Sequence, residues 1–429
     1  MKAAISHKGS VFLPPLSPIQ ALTQLRQRHP GPARLYVAGC SGEPIAIADA
    51  FRTVPDLAKD VTFLGIWIPG VNRTDWASLH ETARAESIFL SPDLRPSFES
   101  RKTAFIPLTY TQAWPWLETT PLDAAIVMVS PPGPDGKVSL GVSADFSGAP
   151  LSRSDVTAVA LINPAMPSPP DSPRIDLSRF QIVAEAHTPL IEVAPTDLPD
   201  TFKQIAVNIA GLVNNRDTLQ FGIGNVQQAV LEQLGSHRNL SIHAGMISDA
   251  ILPLLENDVI NRITTGVAIG TRPLYQQVAH DGRIAFRPVS LTHAISTLCA
   301  IPQLKAINSI LEVDLFGQAN AEFIGAKQVS GTGGLVDFLR GAAIAKAGMA
   351  ITALPSTAHK GSLSRIVARL PADATSIARA DMGLVVTEHG IADLRGKSLD
   401  ARADALIAIA DPAFRASLSA EWDRMRKSM

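Results

Sequence analysis

The sequence predicts an α/β chain of two domains, each a largely parallel sheet flanked by helices. Short aliphatic runs recur beside Gly or Pro, segments of helical period follow them, and 429 residues exceed what one ordinary core holds. At roughly 150 residues per domain, two large units are expected.

RLYVAG (34–39) reads as a buried strand that leads into the helical segment IAIADAF. AAIVMVS (124–130) is a second strand, ended by Pro131 and Pro132, and VTAVALIN (156–163) and Ile182–Ala184 continue the pattern. The stretch from Pro164 to Asp200 is rich in Pro, Ser and Asp, which places the crossing between domains near 190–200 and the domains at 1–195 and 196–429. Beyond it, Phe202, Ile205, Ala206, Ile209, Leu212 and Val213 follow the spacing of an amphipathic helix. A strand TLQF (218–221), the loop GIGN (222–225) and a helix VQQAVLEQL (226–234) come next. Their order repeats that of residues 34–44 and the helix after them, as a diverged duplication would.

Composition excludes several classes. A hydrophobic fraction of 46% with 18% charged residues is that of a globular chain, and 5% aromatic residues make its core mainly aliphatic. Lys+Arg 38 against Asp+Glu 39 leaves a net charge of -1, with no electrostatic footprint for nucleic acid or an anionic membrane. Cys40 and Cys299 stand far apart with no Cys/His cluster, so neither a disulfide framework nor a metal site is expected, and both read as buried small residues. Pro14, Pro15 and Pro18 interrupt any apolar leader, and the longest uncharged run, Pro288 to Leu304, falls short of a membrane span. The cytoplasm is the expected compartment.

Three glycine-bearing loops sit where strands give way to helices or turns. In the first, Gly222, Ile223 and Gly224 precede Asn225, a candidate N-cap, and Val226. The second is SGTGG (330–334), with Gly331, Gly333 and Gly334 ahead of LVDFLRGAA. The third is LPSTAHKGS (354–362), where Ser356 and Lys360 could meet a phosphate or an amide. Each alone is also what an ordinary tight turn looks like. Glycine lets the backbone approach a ligand, and free amides at a helix start attract anionic groups or a polarised carbonyl. None of the loops carries GxxxxGK[ST] or a complete GxGxxG, which sets NTP and NAD behind a coenzyme A thioester. Such a ligand needs backbone donors for both its pyrophosphate and its carbonyl.

Longer blocks carry a resemblance. They are GEP (42–44), VSPPGPDGKVSLGVS (129–143), INPAMP (162–167), LQFGIGNVQQAVL (219–231), the run from Ile307 to Ala342, ALPSTAHKGSLSRIV and VVTEHGIADLRGKSL. Over nearly its whole length the chain resembles the acetyl-CoA hydrolase/transferase family, especially the 4-hydroxybutyrate and butyrate CoA-transferases. The resemblance implies two CoA-transferase-type domains facing across a cleft, acyl-CoA and a small carboxylate as substrates, and a homodimer or higher homo-oligomer; no metal is needed, since a carboxylate or water can attack an already activated thioester. It implies further that Gly222 to Val226 and Gly331 to Gly334 line the thioester, that Ser356 to Lys360 lie near the coenzyme, and that Glu388 sits by the acyl or carboxylate group. A salt-bridged structural glutamate would look the same at 388.

The chain departs from the family at one position. Members carry a nucleophilic glutamate in H-(S/T)-E-M-(F/I)-S-D-G, whereas this sequence reads Ile242-His243-Ala244-Gly245-Met246-Ile247-Ser248-Asp249-Ala250. A glycine cannot be acylated, so the usual glutamyl-CoA intermediate is closed at Gly245. Asp249 and His243 belong to the same motif, which favours structural roles for both, and Glu43, Glu185 and Glu322 rank lower. Three activities follow: direct transfer of CoA or acyl between small carboxylic acids, acyl-CoA hydrolysis with Glu388 or Asp249 as general base, and acyl-CoA binding without catalysis.

Overall fold

A computed structural model describes residues 14–222, 224–371 and 375–429. Its first large sheet is formed by β1 (Ala33–Val37), β2 (Val61–Gly65), β3 (Arg84–Ser87), β4 (Thr103–Phe105), β5 (Ala124–Val129), β6 (Thr157–Ile162) and β7 (Ile182–Glu185). Their spatial order is β4-β3-β2-β1-β5-β6-β7, and every pairing is parallel. All six residues of β5 are buried, because helices cover both faces of a parallel sheet and leave no polar side. Among those helices are α1 (Pro18–Arg28), started by a capping box between Ser17 and Gln20, α2 (Ile45–Thr53) and α3 (Tyr110–Thr119).

The second sheet contains β8 (Thr218–Phe221), β9 (Leu240–Ile247), β10 (Ile260–Ala268), β11 (Ile284–Phe286), β12 (Leu304–Ser309), β13 (Met349–Ala353), β14 (Leu384–Thr387) and β15 (Gly390–Asp393). Its order is β11-β10-β9-β8-β12-β13-β14-β15, parallel except for the terminal β14–β15 hairpin. Counted from the first strand of each, the two sheets share one winding over seven strands. The repeat expected from two matching strand–loop–helix units is therefore a repeat of topology.

Helices α4 (Asp200–Ala210), α5 (Asn225–Glu232) and α6 (Leu335–Ile344) pack on this sheet, and α7 (Leu399–Ala408) and α8 (Pro412–Lys427) close the chain. α4 buries Ile205, Ala206 and Ile209 as its periodicity predicts, but it stops at Ala210 instead of carrying on to Val213. Gly211 follows as its C-cap, where the high backbone entropy of glycine disfavours another helical turn.

The segment Val142–Asp145 from the first half joins the second sheet. Val142 O accepts from Ala268 N at 3.0 Å, Ala144 N donates to Gly266 O at 2.9 Å, and Asp145 O accepts from Val289 N at 2.8 Å. One buried apolar cluster runs from Tyr36 and Val127 through Phe146 to Ile209, Phe221 and Ile263, so the core continues across the junction. The carboxyl ends of both sets of strands meet there. Among the described residues no helix is long and apolar enough to cross a membrane.

Candidate active site

In each sheet the chain winds outward from its first strand in one direction and later in the other, which leaves a crevice beside that strand where ligands of open α/β sheets bind. Between β8 and β12 the crevice is bordered by Gln220, Gly222, Asn308 and Ser309; from the facing sheet Cys40 follows β1 and Phe89 follows β3. Together with Gly245 and the loop Ser330–Gly334 they enclose a cavity of about 280 Å³.

The glycines here are held by close approach. A Cβ on Gly222 would stand 2.9 Å from Asn308 Oδ1, whose side-chain amide is paired with that of Gln220. At Gly331 it would collide with Ile88 O, and at Gly334 with the imidazole of His293. Gly333 has φ +53, and its carbonyl accepts from Tyr110 N at 3.1 Å. The loop is thus clamped between the two halves of the chain, its glycines set by contact as well as by turn geometry.

Of the other residues expected in the first loop, Ile223 lies outside the described residues. Asn225 is the first residue of α5 and Gly224, with φ +114, occupies the cap position, so the expected Asn225 cap is not formed. The side-chain oxygen of Asn225 instead accepts from Thr196 Oγ1 at 3.4 Å. Val226 is buried in the core. None of Gly224, Asn225 and Val226 borders the cavity.

Glu388 and Asp249, the two carboxylates considered as bases, also stand away from the cavity lining. Glu388 accepts from Ser356 N at 2.9 Å and from Ser356 Oγ at 2.6 Å, which ties the turn after β13 to the end of β14. Asp249 accepts from Thr271 N at 2.9 Å and Thr271 Oγ1 at 2.7 Å, fixing the turn after β10. Lys360 is exposed with φ +58. Glu388→Ala is expected to leave the buried Ser356 amide unpaired at a cost of about 1–3 kcal/mol, read as a lower thermal midpoint. An unchanged midpoint would show that water or a neighbour takes over that bond.

The lower-ranked residues are similarly engaged. Glu43 is buried and accepts from Asn72 Nδ2 at 2.9 Å, Glu322 accepts from Ser376 Oγ at 2.7 Å, and Glu185 faces His187 at 2.9 Å. His243 Nε2 donates to Thr292 O at 2.9 Å, and burial lowers its pKa.

Four ionisable side chains that sequence reasoning did not select do border the cavity: Cys40, Tyr110, Asp145 and His293. Cys40, expected to be a small core residue, is indeed buried, but its backbone is left-handed at φ 53° and its thiol donates to Asp145 Oδ2 at 3.4 Å. A non-glycine residue held in that region is strained, and such strain gathers at functional sites. Burial pushes the Cys40 thiol well up, with Asp145 adding to the effect. Cys299 is half-buried, its thiol on Ile295 O.

Burial pushes the Asp145 carboxyl up to about 6, against a smaller opposing effect of the Phe146 amide and the Cys40 thiol. It also raises the Tyr110 phenol. His293 is held down at about 3, chiefly by burial and secondarily by His243. Its ring packs between Tyr110 and Phe338, with centroids 4.8 and 4.4 Å away. Asp145 lies two residues past the block VSPPGPDGKVSLGVS, and His293 lies inside the uncharged run 288–304. In neither case does local sequence signal the cavity.

Among the described residues no group of three or more His, Cys, Asp or Glu could hold a metal ion.

Comparison with known proteins gives a consistent set of relatives. Residues 270–422 match the acetyl-CoA hydrolase/transferase C-terminal domain. The chain is similar to the 4-hydroxybutyrate coenzyme A transferase of Clostridium kluyveri, with 35% identity over 405 residues that cover 91% of this chain and 94% of that one. An acetyl-CoA hydrolase of Candida albicans is 30% identical over 232 residues, 52% of this chain and 44% of that one. In three dimensions the chain is similar to RipA from Yersinia pestis, with a TM-score of 0.87 and 27% identity over 96% of this chain and 97% of that one.

Proposed function

The chain belongs to the acetyl-CoA hydrolase/transferase family, and from that premise we propose that it moves CoA or acyl between small carboxylic acids without forming an enzyme glutamyl-CoA thioester. The observation that carries the proposal is the bare backbone of Gly245 at the wall of the cavity that the glycine loop 331–334 also lines. The acyl end of the thioester fits a cavity of this size, with Gly222, Gly331, Gly333 and Gly334 beside it, while the Ser356–Lys360 turn offers a cation to the phosphate end. Glu388 and Asp249 then hold the turns around the site, and the two halves of the chain, 1–195 and 196–429, act as the two walls of the cleft.

With no carboxylate to acylate, the acceptor attacks the bound thioester directly. Its oxygen bonds to the carbonyl carbon, CoA leaves as thiolate, and the thiolate then attacks the acceptor carbonyl of the mixed anhydride to release the first acid. Holding three such groups together replaces the missing covalent step, since effective molarities of about 10⁵ M or more are available to oriented reactants. The same reading has the enzyme work in the cytoplasm, as a homodimer or larger homo-oligomer.

Calorimetric titration with short acyl-CoA and an exchange assay with acetate, propionate or succinate as acceptor test the proposal. Binding with acceptor-dependent formation of a new thioester is expected. Absence of acyl-CoA binding would remove the proposal altogether. A second activity, hydrolysis, is favoured by one observation: the group nearest a Cβ built on Gly245 is the neutral imidazole of His293.

A further inference from the structure

We infer that His293, through Nε2, is the general base that activates water on the thioester in this cavity, so that the chain is an acyl-CoA hydrolase in the absence of an acceptor. The inference rests on the thioester occupying the cavity as proposed above.

A Cβ built on Gly245 would stand 3.1 Å from Cε1 and 3.2 Å from Nε2 of His293. That is about the distance at which a glutamate's own carboxylate oxygens stand from its Cβ. The imidazole therefore presents a proton-accepting nitrogen, with its pKa at about 3 a base of carboxylate-like strength, at the reach of a glutamate carboxylate from residue 245. On its other side the same nitrogen abuts Gly334, in the loop beside the thioester. Nε2 thus sits between the vacated nucleophile position and the glycine loop. It has no hydrogen-bond partner among the described residues.

Action as a base requires the tautomer with its proton on Nδ1, and the neighbouring contacts accommodate it. Thr292 Oγ1 lies 3.3 Å from Pro288 O, which accepts the hydroxyl proton in that tautomer. Its lone pair then accepts from His293 Nδ1–H at 2.9 Å. Nε2 then carries the free lone pair, on a ring that borders the cavity. Thr111 Oγ1 donates to His293 O at 3.2 Å, and the ring is packed by Tyr110 and Phe338, so the base is positioned before any ligand arrives.

The step balances without a further reactant. Water oxygen bonds to the carbonyl carbon as its proton passes to Nε2. The tetrahedral intermediate then collapses with cleavage of the C–S bond, and the imidazolium returns the proton to sulfur. One acyl-CoA and one water give one carboxylic acid and one CoA thiol. Direct attack by a carboxylate involves no proton transfer, so His293 separates the two activities.

The test compares the full chain with His293→Asn, measuring free-thiol release without acceptor, exchange with acetate, and acyl-CoA binding by calorimetry. The unmodified chain is expected to release thiol, and the variant to lose at least about 100-fold in kcat with KM and acyl-CoA affinity nearly unchanged, as removal of a general base does. Exchange should fall far less. Hydrolysis by the variant at the original rate overturns the inference, as does an unmodified chain that binds acyl-CoA yet releases no thiol; failure to bind acyl-CoA instead strikes the proposed function itself. Should the variant not fold, ¹⁵N NMR of the unmodified chain decides: an unprotonated Nε2 with protonated Nδ1 is expected. A proton on Nε2 would make it a donor to the carbonyl oxygen and overturn the assignment.

Discussion

Gly245→Glu alone is expected to give no enzyme-bound CoA thioester trappable by borohydride, whereas Gly245→Glu combined with His293→Ala is expected to give one. The new Cβ would lie 3.1 Å from the imidazole, closer than carbon atoms normally settle, and the rest of the side chain would have to pass the ring. That ring is held against moving aside, because Thr292 Oγ1 holds Nδ1 at 2.9 Å and Tyr110 and Phe338 pack it from two sides. Overpacking of this kind costs about 1–3 kcal/mol, so the single variant should also melt at a lower temperature. Removing the imidazole clears the volume that a side chain at residue 245 would meet first. A trapped thioester in the single variant would show that His293 does not occupy that place. A double variant that melts normally and binds acyl-CoA, yet traps nothing, would move the reaction centre away from residue 245.

Asp145→Asn is expected to stabilise the chain at pH 8 by on the order of 3 kcal/mol and to change it little near pH 4. In the folded chain burial holds the Asp145 carboxyl at about 6, against an ordinary value of 3.8. Between these two pH values the unfolded chain has lost the proton and the folded chain still carries it, so the unfolded state binds fewer protons. The contribution of Asp145 is therefore present below about pH 4 and lost as pH rises through about 6. Asparagine cannot ionise and removes that loss. Denaturant midpoints of the two chains at pH 4 and pH 8 measure it; equal differences at both would mean that Asp145 is already ionised, or already neutral, throughout.

The thermodynamic cost and the location of Asp145 belong together. A carboxyl kept buried at a cavity wall beside a thiol in a left-handed backbone is expensive, and proteins retain such groups at sites of function. Gly245 sits near it, since both approach Gly266 of β10: a Cβ there would lie 3.0 Å from Gly245 O and 3.5 Å from Asp145 Cβ. The cavity thus keeps a protonatable acid on one wall and a neutral base on another.

By itself the sequence determined the strand–loop–helix units, the three glycine loops and the presence of Gly245 in the block His243–Asp249, where the family resemblance leads one to expect a glutamate. Those are local properties: a run such as AAIVMV fully buried in β5, the apolar spacing of α4, and the identity of one residue in a motif can be read without knowing what lies opposite. Local reading failed where a partner was needed, as at Asn225, displaced from the cap by Gly224, and at the end of α4. It also ranked Glu388 and Asp249 as bases because a carboxylate near a motif carries no mark of being already bonded to Ser356 or Thr271. Only the tertiary structure decided which group stands over Gly245. His293 is far along the chain and reaches that position because β10 and β11 run parallel to β9 and the chain then turns back beside Asp145. A residue's reach into a cavity depends on strand order and on the neighbours that hold its ring, and neither is encoded in the residues around it.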